Sequence, residues 1–192
     1  RGTIVTPAYD TDGNVGSFSL AEIEVIQRTW LRVAEDFAPF NVNVTTAEPP
    51  VSDLIRSDAS DTRWGVRVVI GENTWYSPAG GVAYVGSFND NVDTPTYVFN
   101  TSLIGVSEAV SHEVGHTMGL VHDGTSLLEY YDGHGSGATG WAPIMGVGYY
   151  QNLIQWSQGE YTDANNQEDD LSIITTQNGF SYRPDDYGFF FF

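Results

Sequence analysis

The sequence predicts one α+β domain, on three observations. Strand-length apolar and β-branched runs fill much of the first hundred residues, apolar residues recur at helical spacing around two long stretches, and glycine-rich sequence takes over beyond about residue 120. The expected architecture is a five-stranded sheet, an N-terminal helix, a central helix, and a mostly irregular C-terminal part ending in a third helix.

Thr3 to Ala8 is β-branched and reads as the first strand, followed by a Gly/Asn/Asp turn over Asp10 to Gly16. Ser19 with Glu22 forms a capping-box pattern. Leu20, Ile23, Ile26, Trp30, Ala34 and Phe37 then recur at helical spacing until Pro39 stops the run. Val42 and Val44 mark a second strand, Val66 to Ile70 a third, Val82 to Phe88 a fourth and Thr96 to Asn100 a fifth. Ser102 to Gly119 predicts the central helix, residues 123 to 150 predict irregular backbone, and Gln167 to Asn178 predicts the last helix, with Gly179 after its end. The run Phe189 to Phe192 is set aside from the fold.

Seven cations, all arginine, stand against 25 acids, for a net charge of -18. A phosphate backbone is repelled by such a surface, so no nucleic-acid partner is expected, and the charge favours a soluble monomer. Zero cysteines exclude disulfides and thiolate metal sites. No apolar run approaches the ~20 residues a membrane span needs, so no membrane partner is expected. The opening Arg1-Gly2-Thr3 lacks an initiator methionine, which reads as a mature fragment or an excised domain.

The chemistry concentrates in His112-Glu113-Val114-Gly115-His116-Thr117-Met118-Gly119-Leu120-Val121-His122-Asp123, which holds three of the four histidines. Residues four apart share a helix face, so His112 and His116 can aim at one ion. On a continued helix His122 would lie ~15 Å from His112, so the helix must end first. Gly119 stands where a left-handed residue ends it and reverses the chain, letting His122 return as third ligand. Three neutral imidazoles leave a tetrahedral zinc one open position for water. Glu113 adjoins the first ligand as general base, taking a proton from that water and delivering it to a leaving amine; the chemistry is amide hydrolysis.

The HExxHxxGxxH pattern resembles the zinc signature of the metzincin metalloproteases, and Asp123 directly after it is similar to the adamalysin (reprolysin) branch. The resemblance implies a twisted mixed sheet over an active-site cleft, with an upper subdomain of about 1–119 and a lower one of about 120–192. Met145 in Ala142-Pro143-Ile144-Met145-Gly146 would be the Met-turn floor beneath the imidazoles, and Asp123 an anchor of the lower subdomain. Gly81-Val82-Ala83-Tyr84-Val85-Gly86-Ser87 resembles the edge strand along which an extended peptide adds itself to the sheet, giving Val82, Ala83 and Tyr84 as substrate contacts. The stretch after Met145, with Val147, Tyr149 and Tyr150, predicts an apolar pocket wall. In other branches a tyrosine stands two residues after the Met-turn methionine; here that position is Val147, and the role is not carried over. The absence of cysteine departs from the disulfide-linked animal adamalysins and points to a distant, microbial member.

The leading expectation is a secreted zinc endopeptidase acting on extended polypeptide, made with a pro-segment that blocks the zinc. A rival zinc protease would use Glu129 as third ligand in place of His122, and a rival of another class is a zinc-retaining peptide-binding or adhesion module without turnover. Calcium is a second candidate metal, at the oxygen-rich stretches Asn89 to Asp93 and Asn165 to Asp170. Asp10-Thr11-Asp12-Gly13-Asn14 opens like a calcium loop, but Ala21 takes the position of its closing glutamate, so a turn is expected there. His134, between Gly133 and Gly135, is expected in a surface loop.

Overall fold

The computed structural model describes residues 4–76 and 78–184. Thr3 and the run Phe189 to Phe192 lie outside the described residues.

α1 (Leu20–Asp36) starts as the sequence predicts: Ser19 Oγ accepts from Glu22 N, and Glu22 Oε2 accepts from Ser19 N at 2.8 Å. Its buried face is rotated from the predicted stripe. Glu22, Thr29 and Val33 face inward, whereas Leu20, Ile23 and Trp30 are exposed. Polar contacts to the next helix set that rotation. Arg32 Nη2 donates to Glu108 Oε1 at 2.7 Å, and Ser111 Oγ donates to Asp36 Oδ2 at 2.6 Å.

Of the five predicted strands, three form. β1 (Val68–Ile70), β2 (Gly81–Val82) and β3 (Thr96–Val98) lie in the order β1-β3-β2, with β1 parallel and β2 antiparallel to β3, so the sheet is mixed. The first predicted strand contributes only a bridge between Ala8 and Gly71. Pro7, beside it, has no N–H to extend a ladder. The second fails because Val42 N turns back onto Phe40 O at 2.8 Å, a γ-turn that withdraws it from pairing. The fourth shrinks to Gly81–Val82, since Gly86 is left-handed (φ 77) and opens a short 3-10 turn at Ser87–Asn89.

α2 (Leu103–Thr117), capped by Ser102 Oγ on Gly105 N, is buried along nearly its whole length, between α1 and the sheet. Val106, Val110, Val114 and Met118 join Phe37, Phe40, Val98 and Met145 in the core. Beyond it, where irregular backbone was predicted, β4 (Trp141–Pro143) pairs in parallel with β5 (Leu153–Gln155). Three-residue strands containing a proline are too short to show a period. α3 (Asp170–Gln177) is the last helix of the described chain, capped by Asp169 on Ser172 N. No described helix is long and apolar enough to cross a membrane.

Candidate metal centre

His112, Glu113 and His116 are carried by α2, which ends where the sequence expects. Leu120 N donates to Gly115 O at 3.1 Å and Gly119 N to His116 O at 2.9 Å, the paired bonds of a Schellman motif around Gly119 at φ +106. The reversal brings His122 back, and one ring nitrogen from each of His112, His116 and His122 lies within 4.8 Å of the others. Glu129 is not among them. It contacts the trio from behind, Oε1 lying 3.0 Å from His122 Nδ1, so the glutamate-ligand alternative is replaced by an orienting carboxylate.

Each imidazole is held by its outer nitrogen. His112 Nδ1 lies 2.9 Å from Ile144 O and His116 Nδ1 2.9 Å from Leu120 O. A carbonyl only accepts, so both rings carry their proton on Nδ1 and present a bare Nε2 inward. The Nε2 atoms of His116 and His122 face each other at 3.0 Å. Two bare nitrogens at that distance repel unless a cation lies between them, and three nitrogen donors oriented through Nδ1 suit zinc. Burial, together with the neighbouring imidazoles, lowers the His112 pKa to about 3, and burial lowers that of His116, so both rings are neutral ligands at physiological pH.

Glu113 is buried, and its carboxylate lies against the backbone of β2: a Cβ on Gly81 would come within 2.5 Å of Glu113 Oε1. Burial pushes its carboxyl up to about 7, the range in which a group both takes and returns a proton near neutrality. β2 is an edge of the sheet, paired with β3 alone among the described residues. Val82 and Ala83 are half-buried and Tyr84 exposed, with Val82 O accepting from Thr96 Oγ1 at 3.0 Å. Gly86 N, just beyond, donates to His116 O at 2.9 Å and ties this segment to the end of α2.

Met145 is fully buried, its sulfur packed against α2 where a Cβ on Gly115 would come within 2.5 Å of it. Asp123 links the turn to Met145 through its backbone, N donating to Met145 O at 2.9 Å, while its O accepts from Tyr131 N at 2.7 Å. Its carboxylate is buried and faces Asp170, and burial pushes the two up to about 7 and about 8 respectively. Val147 N donates to Tyr131 O at 2.9 Å. Tyr149 lies beside Asn100, their hydroxyl and amide 3.4 Å apart, whereas Tyr150 is exposed. Sequence reasoning missed Gly81 and Gly115 as sites of close approach, although for Gly115 an isolated glycine inside a helix is a signal of it. It also passed over Tyr130, whose ring lies 4.3 Å from that of His122.

Residues 40–123 match the model of metallo-peptidase family M12B, reprolysin-like. Over that span the chain is similar to the reprolysin-like metallopeptidases. No curated protein matches the chain. The M12B match ends at Asp123, so it includes the whole histidine trio and β2 and stops short of Met145. For an M12B peptidase with this trio, zinc is the expected metal.

Among the described residues neither Asn89 to Asp93 nor Asn165 to Asp170 belongs to a cluster of three or more acidic or histidine side chains, and calcium is not supported there. Asp10, Asp12 and Glu22 bring carboxylate oxygens within 4.8 Å of one another, but Asp10 Oδ1 caps the amides of Asp12 and Gly13, and both Glu22 oxygens accept at the start of α1. The turn expected there accounts for the cluster. His134 is exposed, 3.0 Å from the Tyr131 hydroxyl through Nδ1.

Proposed function

We propose that the chain is a zinc endopeptidase that cleaves extended polypeptides, with Glu113 as the proton-transferring group. The observation that carries this reading is that Glu113, on the helix that bears two of the three clustered imidazoles, lays its carboxylate against the backbone of edge strand β2. His112, His116 and His122 would hold the zinc, which when bound supplies a Lewis acid for a peptide carbonyl and makes water easier to ionise.

An extended peptide pairs with the free edge of β2, continued by Ala83 and Tyr84, through backbone hydrogen bonds, which accept many sequences. That pairing sets the scissile bond beside Glu113. Glu113 takes a proton from the attacking water as its oxygen joins the carbonyl carbon, and returns a proton to the amine nitrogen as the C–N bond breaks. Val147 and Tyr149, after Met145, form an apolar wall for the side chain following that bond. The reading includes a secreted monomer made with a pro-segment. A larger inactive precursor and a shorter active form recovered from the medium are the expected outcome, and an active full-length precursor is the contrary one.

The decisive test is Glu113→Gln. The variant should retain about one zinc per chain by elemental analysis and lose casein cleavage by at least about 100-fold, while a chelator abolishes cleavage by the native enzyme. Undiminished cleavage by the variant removes Glu113 from the role. Bound zinc without any cleavage by the native protein favours the peptide-binding alternative instead.

A further inference from the structure

The histidine trio has one neighbour that the reaction above leaves unused. The ring of Tyr130 lies 4.3 Å from that of His122 and 6.0 Å from that of His112, so it covers two of the three imidazoles from the side of the turn. Glu113, on the helix that carries His112 and His116, lies against Gly81 of β2. Besides Glu129, the ionisable groups that face the Tyr130 phenol are Glu113, Tyr149 and Tyr76. Tyr130 itself is 37% exposed.

The position of Tyr130 is over-determined by its neighbours. On one side Glu129 holds His122 Nδ1; on the other, Tyr131 N donates to Asp123 O at 2.7 Å and Tyr131 O accepts from Val147 N at 2.9 Å. The turn between closes tightly over Gly124, where a Cβ would run into the carbonyl oxygens of Leu128 and Glu129. These bonds fix the backbone on which the ring is carried, and a donor positioned in advance needs little reorganisation to act. The two nearby tyrosines are placed differently. Tyr149 has its hydroxyl beside Asn100 above Gly80, and Tyr150 is 80% exposed.

Resting on the peptidase reading above, we propose that Tyr130 is a further catalytic residue, its hydroxyl donating a hydrogen bond to the carbonyl oxygen of the scissile peptide as negative charge develops there. The proton stays on the phenol throughout. Glu113 handles the proton of the attacking water, and Tyr130 steadies the oxygen across the site from it. A peptide carbonyl seated between them meets one acidic and one phenolic group from opposite sides.

Tyr130→Phe tests this, because it keeps the ring against His122 and His112 and removes only the donor. With a fluorogenic peptide, kcat should fall about 10- to 100-fold with KM within twofold of native. A phosphinic peptide, which mimics the tetrahedral oxygen, should bind the variant about tenfold more weakly, whereas a cleaved product peptide binds both proteins alike. Zinc content and Tm should not change. A kcat within twofold of native overturns the proposal while leaving the peptidase reading intact. Loss of zinc in the variant also overturns it, since Tyr130 would then act by holding His122. If the native enzyme shows no chelator-sensitive cleavage, the peptidase reading fails and this proposal fails with it. Tyr149→Phe serves as the comparison, and a fall in kcat confined to that variant would transfer the role and overturn the assignment to Tyr130.

Discussion

The two halves of the metal centre are built by different physics. His112, Glu113 and His116 stand on one buried helix, where the 3.6-residue period sets their spacing before any tertiary contact forms. His122 stands on a half-buried turn, and its orientation depends on partners distant in sequence or on the turn itself: Glu129 at its Nδ1, Tyr130 against its ring, and the bond from Asp123 N to Met145 O. Damage to the helical half therefore disables the centre, and damage to the turn half adjusts it.

The largest effect is expected on the helical side. Gly81→Ala puts a methyl where the Glu113 carboxylate now lies, 2.5 Å from Oε1, and the carboxylate must move. Misplacement of a reacting group by about an ångström costs about 100-fold in rate. Steady-state kinetics should show that loss in kcat with zinc retained, and native kcat would separate Glu113 from the reaction. Glu129→Gln perturbs the turn side, where a weaker acceptor for His122 should lower zinc affinity about tenfold in competition with a chromophoric chelator. Equal affinity in the two proteins would make Glu129 a bystander.

A buried acid on α3, behind the turn half, carries a cost of its own. Asp170 faces Asp123, and burial, only partly countered by the bond from Ser157 N, raises its pKa from 3.8 to about 8. Below pH ~4 the carboxyl is protonated folded or unfolded and costs nothing. Between pH ~4 and ~8 the unfolded chain gives up a proton that the folded one keeps, so stability falls as pH rises and the cost is complete above that range. Asp170→Asn retains an acceptor for Ser157 N, so it should stabilise the protein on the order of 2 kcal/mol at pH 8 and leave it unchanged at pH 4. Urea unfolding at the two pH values checks both figures, and a gain at pH 4 would refute the ionisation account. The smallest effect belongs to the junction of the halves. Gly119→Ala, at φ +106, should cost about 1 kcal/mol in the same assay with the metal still bound.

The same division decided what was legible in the sequence. The histidine spacing, the reversal at Gly119 and the capping box of α1 are local, and each appears in the structure where the sequence predicts it. The sheet was read less well. Apolar runs at residues 3–8 and 42–44 have strand composition, but Pro7 and the turned-back amide of Val42 stop them pairing, and pairing is a property of two segments rather than one. The stripe assigned to α1 was misplaced because polar bonds from Arg32 and Asp36 orient the helix, which hydrophobic periodicity does not register. Glu129 was visible only as a rival ligand, since one carboxylate spacing serves a metal or the histidine that holds it.

The carbonyls of Ile144 and Leu120 have one further consequence. By claiming the outer nitrogens of His112 and His116 they choose each ring's tautomer in advance, and the buried setting disfavours protonation of both rings. A free imidazole begins to accept hydrogen ions near pH ~6.5 and then competes with any metal for its lone pair. In this molecule that rivalry is weakened for two of the three imidazoles.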